Sequence, residues 1–336
     1  MGTRRALSRA LRCSVTILKL INISLGGALL FVAAGVLEAA PKPRPRPNVS
    51  ACGDSLAYQV LLDRRGFSPG EIDGRRGANL QRALAAFQKA NNLPDSGQVN
   101  CETWKALSAE SAPVMTDYKI TEADAKGPFV NPLPRDLIEQ SQLPALSYQS
   151  ITEALAERFH ASPALLTRLN PGKRFAPGTS ITVPAVTPFV DGAKPAGVAP
   201  LEGLTIEVSR EGTLRAVRPD GRVEFFAPVT SGSEHDPLPP GQWKVTAVSW
   251  RPTFHYNPAL FWDANPEHSK AAIKPGPNNP VGVVWIDLNL EHYGLHGTPE
   301  PSHVGHTQSH GCVRLTNWDA ARVAGMVKVG TPVIFQ

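Results

Sequence analysis

The chain has little cysteine and little charge for its length. Its 336 residues include four cysteines, and 19% of the residues are charged. The formal net charge of +5 is concentrated at the start, because residues 1–40 hold five basic side chains against Glu38. The basic residues are Arg4, Arg5, Arg9, Arg12 and Lys19. About +1 is left for the rest of the chain. A nucleic-acid-binding protein needs a basic patch on its folded part, so nucleic acid is not an expected partner.

The basic residues belong to a segment with the form of an export signal. "MGTRRALSRALRC" is a basic region, and "LINISLGGALLFVAAGVL" is an apolar run that follows it. We therefore predict that residues 1–40 are a signal peptide and that the protein is exported to the periplasm or cell envelope. The run is also long enough to span a bilayer, so an uncleaved inner-membrane anchor is the alternative. A proline-rich spacer, residues 41–51, begins with "PKPRPRP".

Export changes the meaning of the cysteine count. Cys13 lies in or before the signal, which leaves three cysteines, and an odd number in an oxidising compartment implies one free thiol. Cys52 and Cys101 flank one short domain and are the expected pair. A disulfide closing a loop of about 50 residues would stabilise the fold by about 4 kcal/mol. Cys312 is then the free thiol. Because a free thiol outside the cytosol is open to oxidation, a chemical role for Cys312 is one good reason for the protein to retain it.

Residues 52–108 have the pattern of a small helical domain. Leu80, Leu84 and Phe87 repeat at helical spacing, and Cys101–Leu107 is predicted to be a third helix. The features "LLDRRGFSPGEIDGRRG", "RALAAFQKANNLPDSGQVN" and "ETWKAL" resemble the three-helix peptidoglycan-binding domain. The resemblance implies binding to the bacterial wall polymer. A helical spacer domain is the alternative.

A second module is predicted after a linker over residues 109–145. In residues 146–186 two helices and a turn with a short strand follow one another in a βααβ pattern. The stretch "NPGKRFAPGTSITVP" resembles a LysM domain, a binder of N-acetylglucosamine polymers. The usual "GDT" before the first helix is replaced by "QSIT", so glycan binding and a purely architectural role both stay open. Residues 187–203 are predicted to be a second linker.

Residues 204–336 change to a β pattern. Short β-branched or aromatic runs separated by turns predict a sandwich or barrel-like domain. The runs are "LTIEVS", "TLRAVR", "RVEFFAPVT", "QWKVTAVSW", "GVVWIDL" and "TPVIF". One helix, capped by Thr316 or Asn317 and ended by Gly330, interrupts them. A long loop between Trp250 and Val281 is interpreted as a lid or substrate wall. The expected fold class is therefore a multidomain α+β chain.

The stretch "YGLHGTPEPSHVGHTQSHGCVRLTNWDA", residues 293–320, holds four histidines and one cysteine. A zinc site would use close pairs of ligands on a hairpin or helix. Pro299 and Pro301 break any helix, only one cysteine is present, and no nearby acidic residue is an obvious water activator. We therefore expect no metal and no cofactor.

Thiol chemistry needs a histidine to take the proton, a group to orient it and N–H donors for the developing oxyanion. His310 lies two residues from Cys312, with Gly311 between them. His296 and Gly297 end a predicted strand, and His296 precedes the cysteine by 16 residues. A hairpin-like return would bring His296 beside the sulfur, where an imidazolium would lower the thiol pKa.

These residues, with "PGPNNPVG" upstream, resemble the YkuD-type L,D-transpeptidase catalytic domain over residues 204–336. The resemblance implies a β-rich fold, Cys312 as nucleophile, with its own amide in the oxyanion hole, and His296 as base held by the Gly297 backbone. His310 would assist through substrate contact or orientation, or act as the base, and Arg314 would support the site. Further members of the motif are Ser309 and Gly311. Asn317 and Asp319 match motif positions but are interpreted as helix cap and first-turn charge; His303 and His306 receive no role.

The resemblance implies an enzyme of bacterial cell-wall synthesis and remodelling. It would form 3→3 peptidoglycan cross-links, or join another amine acceptor, through a thioester on Cys312. The first alternative is a hydrolase that passes the same thioester to water. The second alternative, from another class, is a wall-binding protein whose catalytic domain is inactive. The intact "H…SHGC" set argues against the latter.

Overall fold

The structure is a computed structural model that describes residues 52–109 and 112–336. The signal or anchor expected over residues 1–40 and the spacer over 41–51 lie outside these ranges. Within them, no helix is both long enough and apolar enough to cross a membrane.

The first described unit is a three-helix domain. Its helices are α1 (Ser55–Arg64), α2 (Ala78–Ala90) and α3 (Cys101–Leu107). Asp54 begins α1 by accepting a hydrogen bond from the Ala57 amide at 2.9 Å. The apolar spacing predicted for α2 is confirmed, because Leu80, Leu84 and Phe87 are all buried. The expected disulfide between Cys52 and Cys101 is also present.

The second unit is a βααβ arrangement whose first strand lies earlier than expected. It consists of β1 (Met115–Lys119), α6 (Ile151–Arg158), α7 (Pro163–Leu169) and β2 (Ser180–Pro184). Strand β1 pairs antiparallel with β2, from Met115 opposite Pro184 to Lys119 opposite Ser180. The prediction that residues 109–145 form a linker is therefore wrong. The strand was missed because its side chains are mostly exposed and show no apolar alternation.

The rest of that expected linker forms an inserted segment between β1 and α6. It contains two short helices, α4 (Glu122–Ala125) and α5 (Leu137–Ser141). Asp136 caps α5 by accepting hydrogen bonds from the amides of Ile138 and Glu139. Residues 187–203 form no helix or strand, but Phe189 from this stretch is buried in the third unit's core.

The third unit, residues 204–336, is mainly β as predicted, with one nine-stranded sheet. The strands, in chain order, are β3 (Thr205–Ser209), β4 (Thr213–Val217), β5 (Val223–Pro228), β6 (Thr230–Ser231), β7 (Gly241–Trp250), β10 (Val284–Leu288), β11 (Gly294–His296), β12 (Val313–Arg314) and β13 (Pro332–Phe335). Their order across the sheet is β5-β4-β3-β13-β7-β10-β11-β12-β6. Two further strands, β8 (Phe254–Tyr256) and β9 (Ala271–Ile273), form a separate hairpin within the predicted loop.

The long strand β7 belongs to both halves of this sheet. Its first residues, Gly241–Lys244, pair with β13, and its later residues, from Val245 to Trp250, pair with β10. Side chains from both halves meet in one core: Val208 and Phe225 from one half share it with Ile286 from the other. The sheet thus folds over a common core, which is the sandwich that the sequence predicted.

Helix α8 (Asn317–Met326) packs against that core beside the end of β11. Thr316 is its N-cap and accepts a hydrogen bond from the Asp319 amide at 3.2 Å. The helix ends at Met326, four residues before the expected Gly330, because Val327 is already extended. Trp318 is buried and stacks on His160, from the connection between α6 and α7, with 5.1 Å between ring centroids.

Buried polar contacts join the three units near the start of α8. The Ser68 hydroxyl, from the helical domain, donates to Asp319 at 2.8 Å. The His160 ring lies 3.0 Å from the Asp63 carboxylate. Phe226, from β5, is buried in the core of the helical domain. These contacts make the units parts of one body around the first turn of α8.

We predict that the double substitution Cys52→Ala and Cys101→Ala lowers the free energy of unfolding by about 4 kcal/mol, since it frees a long loop in the unfolded chain. Urea unfolding followed by circular dichroism measures this. Cys312→Ala is the control and should change it by less than about 1 kcal/mol. An equally small loss for the double variant would contradict the prediction.

Candidate active site

The parallel strands β11 and β12 carry the candidate catalytic side chains. Leu295 lies opposite Val313, and His296 lies opposite Arg314. Because alternate residues of a strand share a face, His296, Arg314 and the preceding Cys312 project from one side of the pair. The Cys312 thiol is partly buried and donates to the His292 carbonyl at 3.4 Å. The structure therefore brings His296 to the end of one strand and Cys312 to the start of its neighbour. The expected hairpin-like return is wrong, because the two strands are parallel.

Gly311 lies in the bend that leads into Cys312. Its φ is +100°, in the region that favours glycine. A Cβ atom there would lie 2.9 Å from the Tyr293 ring. A side chain at this position would therefore displace either the ring or the turn that leads into Cys312.

Ser309 fixes the turn from the other end. Its hydroxyl accepts from the Gly232 amide at 2.8 Å and donates to the Cys312 carbonyl at 2.7 Å. Its own amide donates to the Gly232 carbonyl at 3.0 Å. The side chain is buried, and both roles of its hydroxyl are already used. In this geometry Ser309 positions the cysteine backbone.

His296 is held as a neutral imidazole with a defined tautomer. Nδ1 lies 2.6 Å from the Gly297 carbonyl oxygen, which can only accept, so the proton is on Nδ1. Nε2 then carries a free lone pair. The ring is 3% exposed and stacks on Trp285 at 5.3 Å. Burial, helped by the charge of Arg314, lowers the pKa of His296 to about 3.

The thiol is also neutral in the resting site. Burial raises the pKa of Cys312, although the Gly294 backbone and the Arg314 charge oppose this. The expectation that an imidazolium lowers the thiol pKa is therefore wrong for the resting protein. Neither partner is charged, because both lie in a water-poor environment that disfavours ions. With both groups neutral, the resting site does not hold a thiolate–imidazolium ion pair.

Arg314 brings an uncompensated positive charge to the same face. Burial lowers its pKa, yet a guanidinium stays protonated at neutral pH. In residues 52–109 and 112–336 it forms no ion pair, and its Nε is buried without a hydrogen-bond partner. A ligand carboxylate would satisfy this group.

His310 points its ring toward the β8–β9 hairpin. Nε2 lies 2.8 Å from the Asp263 carboxylate at the hairpin tip. The rings of Phe261 and Trp262 lie 5.1 Å and 5.8 Å from the imidazole. The loop interpreted as a lid therefore contacts the catalytic motif directly, and Asp263 is a residue that sequence spacing could not have assigned.

The hairpin is fixed at its base by the inserted segment. His268 bridges the Asp136 carboxylate at 2.9 Å and the Tyr256 hydroxyl at 3.1 Å. Leu146, Tyr256 and Ile273 form a small buried cluster between the two elements. The inserted segment between β1 and α6, which was expected to be a linker, thus supports the loop interpreted as a lid.

The remaining histidines stay outside this face. His303 lies 3.0 Å from the Glu300 carboxylate, and both side chains are exposed. His306 is exposed on the following turn. Among the residues that the structure describes, no three His, Cys, Asp or Glu side chains are arranged to hold a metal ion.

Two parts of the chain match known protein families. The family profile of the YkuD L,D-transpeptidase catalytic domain matches residues 204–335, and that of a peptidoglycan binding domain matches residues 54–107. The chain is 31% identical over 147 residues to a Bacillus subtilis protein named L,D-transpeptidase YqjB, covering 42% of this chain and 76% of that protein. The chain belongs to the L,D-transpeptidase family.

Other relatives match over shorter stretches. L,D-transpeptidase YkuD of Bacillus licheniformis is 43% identical over 60 residues, which is 18% of this chain and 36% of that protein. The chain thus spans about a third of that relative's length. A crystal structure of an Enterococcus faecium L,D-transpeptidase is 20% identical over 40% of this chain and 50% of its own, with a TM-score of 0.32. That last likeness is too distant to support an argument.

Asn317 has a larger structural role than the sequence indicated. It is fully buried and does not cap α8. Its Nδ2 donates to the Glu157 carboxyl and to the Pro277 carbonyl, both at 3.0 Å. Its Oδ1 accepts from the Val283 amide at 3.2 Å and lies where a Cβ atom on Gly297 would fall. This explains why glycine follows His296: any side chain would collide with the amide.

Asp319 has a similar structural position. It accepts the Ser68 hydroxyl, and burial, followed by the nearby Asp63, raises its pKa to about 6. Its expected role as a first-turn charge is therefore incomplete, since it also joins the helical domain to α8. The signal for both residues was their place in the motif; their partners in the other units, Glu157 and Ser68, lie 160 and 251 residues away in sequence.

We predict that Asn317→Asp lowers the free energy of unfolding by about 3 kcal/mol, since an acceptor replaces the donor facing Glu157 and the Pro277 carbonyl. Thermal unfolding measures the loss. Asn289→Asp is the matched control, because this exposed side chain only accepts, from the Lys244 amide. Equal stability of both variants would contradict the role given to Asn317.

We also predict that alkylation of Cys312 by iodoacetamide speeds up with pH through an apparent pKa above that of free cysteine. The reason is that the neutral thiol is favoured by burial and the thiolate fraction at neutral pH is small. Intact-mass spectrometry measures the rate of alkylation at each pH. Arg314→Gln should raise the apparent pKa further, since a favourable charge is lost. A rate that is already constant from about pH 5 to pH 8 would instead indicate an ion pair.

Proposed function

We propose that the protein is a peptidoglycan L,D-transpeptidase that forms 3→3 cross-links, or attaches another amine acceptor, through a thioester on Cys312. The observation that most supports this proposal is the set of side chains on the common face of β11 and β12. It combines a partly buried thiol, a neutral His296 whose Nε2 lone pair is free, and an unpaired Arg314. These are a nucleophile, a base and a site for an anionic group of the substrate.

In the first half-reaction the sulfur attacks the carbonyl carbon of the L-centred third residue of a donor stem peptide. The thiol proton passes to Nε2 of His296, and the new imidazolium is stabilised by the Gly297 carbonyl on Nδ1–H. The C–N bond to D-alanine breaks, and its amine takes the proton from His296. A thioester and a neutral imidazole remain, and the Cys312 amide would donate to the carbonyl oxygen during the attack.

In the second half-reaction the side-chain amine of an acceptor stem attacks the thioester carbonyl. His296 takes a proton from that amine, the C–S bond breaks, and the sulfur regains the proton. The lid is the element that decides between amine and water. Its tip covers His310 through Asp263, Phe261 and Trp262, so it can exclude water from the thioester.

The other units would hold the enzyme on its polymer. The helical domain matches a peptidoglycan-binding profile, and the βααβ unit is proposed to be a LysM-like module that contacts glycan. Binding through linked modules raises the local concentration of stem peptides at the site. Such a substrate lies outside the cytosol, which agrees with an exported, periplasmic or envelope-bound protein.

The alternative is a peptidoglycan hydrolase on the same cysteine. The observation that keeps it open is the exposure of the lid tip, where the Trp262 side chain is 59% exposed. A tip that opens readily would admit water to the thioester.

The test is to incubate the full-length protein with purified disaccharide-tetrapeptide and record mass spectra of products and protein. We expect a cross-linked dimer with loss of D-alanine and a covalent adduct on Cys312. The dimer should be absent with Cys312→Ala, and His296→Ala should lower its rate by about 10²-fold or more, because the base is lost. His303→Ala, an exposed histidine away from the site, is the matched control and should retain the rate.

Formation of tripeptide without dimer would contradict the transpeptidase proposal and support the hydrolase. No product and no adduct, in an assay where a known family member works, would reject both enzymes and leave a wall-binding protein.

A further inference from the structure

A polar cleft of about 270 Å³ lies where the three units meet, away from the β11–β12 face. Its walls come from the turn between α1 and α2, the start of α7, and the loop that follows β11. The residues used below are Glu71, Asp73, Arg75, Arg168, Ser302 and His306. Neither the cysteine nor the two histidines of the catalytic motif line it.

Some of these charged groups are occupied in holding the cleft together. The Asp73 carboxylate accepts from Gln59 Nε2 at 2.8 Å and from the Arg75 amide at 2.9 Å. Arg168 donates to the Asp73 carbonyl at 2.8 Å. Asp73 and Arg168 therefore form the structural floor of the cleft and join the helical domain to α7.

Two other side chains of the lining, of opposite charge type, do not take part in these structural contacts. Over the described ranges of the chain, neither the Glu71 carboxylate nor the Arg75 guanidinium has a hydrogen-bond or ion-pair partner. Burial and the neighbouring Asp73 raise the pKa of Glu71 to about 7. A cationic group bound beside Glu71 would lower this pKa again, because it favours the ionised carboxylate. Arg75 is exposed and presents an anion-binding fork.

The lining also indicates which ligand the cleft does not suit. None of the described residues that line it is Phe, Tyr or Trp. A sugar ring would therefore find no aromatic surface to stack on. Its volume is near the lower end for small-ligand sites, which fits one amino-acid residue better than a disaccharide.

The cleft is adjacent to the catalytic motif along the chain. Ser302 and His306 belong to the loop that joins His296 to Cys312. This loop is tied to helix α2, since Asn79 donates to the Val304 carbonyl at 2.8 Å and Arg82 to the Gly305 carbonyl at 3.1 Å. A ligand in the cleft would thus be held against the loop that leads into the catalytic cysteine.

We propose that this cleft binds one residue of a peptide that carries both a free ammonium and a free carboxylate, as a diamino acid can, with the ammonium group at Glu71 and the carboxylate at Arg75. The proposal rests on the proposed function only for the source of that peptide, a stem of the wall polymer. The cleft is then a second peptide site, which holds the polymer beside the catalytic face.

The test titrates full-length Cys312→Ala protein, which cannot turn over, with disaccharide-tetrapeptide in a calorimeter. We expect Glu71→Gln and Arg75→Gln each to weaken one binding event by about tenfold, as expected for a lost charge pair. Glu102→Gln and Arg76→Gln are matched controls: both residues are exposed, lie in the same domain and do not line the cleft. Circular dichroism verifies that all four variants fold.

Unchanged affinity in both cleft variants overturns the proposal, as does an equal loss in the controls. Equally tight, Glu71-dependent binding of the disaccharide without its peptide also overturns it, since that would be a glycan site. The product assay with Cys312 intact is a separate readout. If binding depends on Glu71 but no cross-linked product forms, the proposed function is rejected and the peptide site in the cleft is supported. If cross-linked product forms but binding does not depend on Glu71, the peptide site is rejected and the proposed function is supported.

Discussion

The buried amide of Asn317 is the contact on which the arrangement of the site depends. One side chain joins the carboxyl of Glu157, the Pro277 carbonyl and the Val283 amide, while Gly297 packs against its oxygen. It therefore fixes the end of β11, which carries His296, relative to a helix of another unit. Buried polar groups of this kind are costly when incomplete, so a complete set strongly favours one arrangement.

The thiol and the imidazole illustrate a second constraint. A free thiol is open to oxidation, and the thiolate is the form that oxidises. Burial keeps Cys312 protonated and His296 neutral, so the resting site holds little of the reactive species. In the proposed mechanism the thiolate forms only when a substrate carbonyl arrives and the proton can move to Nε2. The neutral resting state then protects the thiol from oxidation.

The sequence predicted those parts of the molecule that local pattern determines. Helix α2, strands such as β3 and β7, the Thr316 cap and the Cys52–Cys101 pair all follow from periodicity, capping chemistry or counting. The nearness of His296 to Cys312 along neighbouring strands was predicted from a motif, but the expected hairpin-like return is wrong, because β11 and β12 are parallel.

What the sequence could not supply were partners distant along the chain. Strand β1 was missed because its exposed residues lack alternation, and its pairing with β2 is set by tertiary contact. The contact of Asp263 with His310 joins a hairpin tip to a turn, and that of Asn317 with Glu157 joins two units. The charge states were wrongly expected because burial, which the sequence does not show, outweighs proximity.

The central claim is that the catalytic strands are held in place by the neighbouring units. Hydrogen–deuterium exchange of the Glu157→Ala protein tests it most directly, because this change removes the partner of Asn317 that lies outside the catalytic domain. The same change removes the acceptor of the Tyr148 hydroxyl, within residues 148–160. The account predicts faster exchange in residues 277–283 and 294–298 as well as around α6. Faster exchange confined to residues 148–160 would contradict it and show that the catalytic domain keeps its site without the βααβ unit.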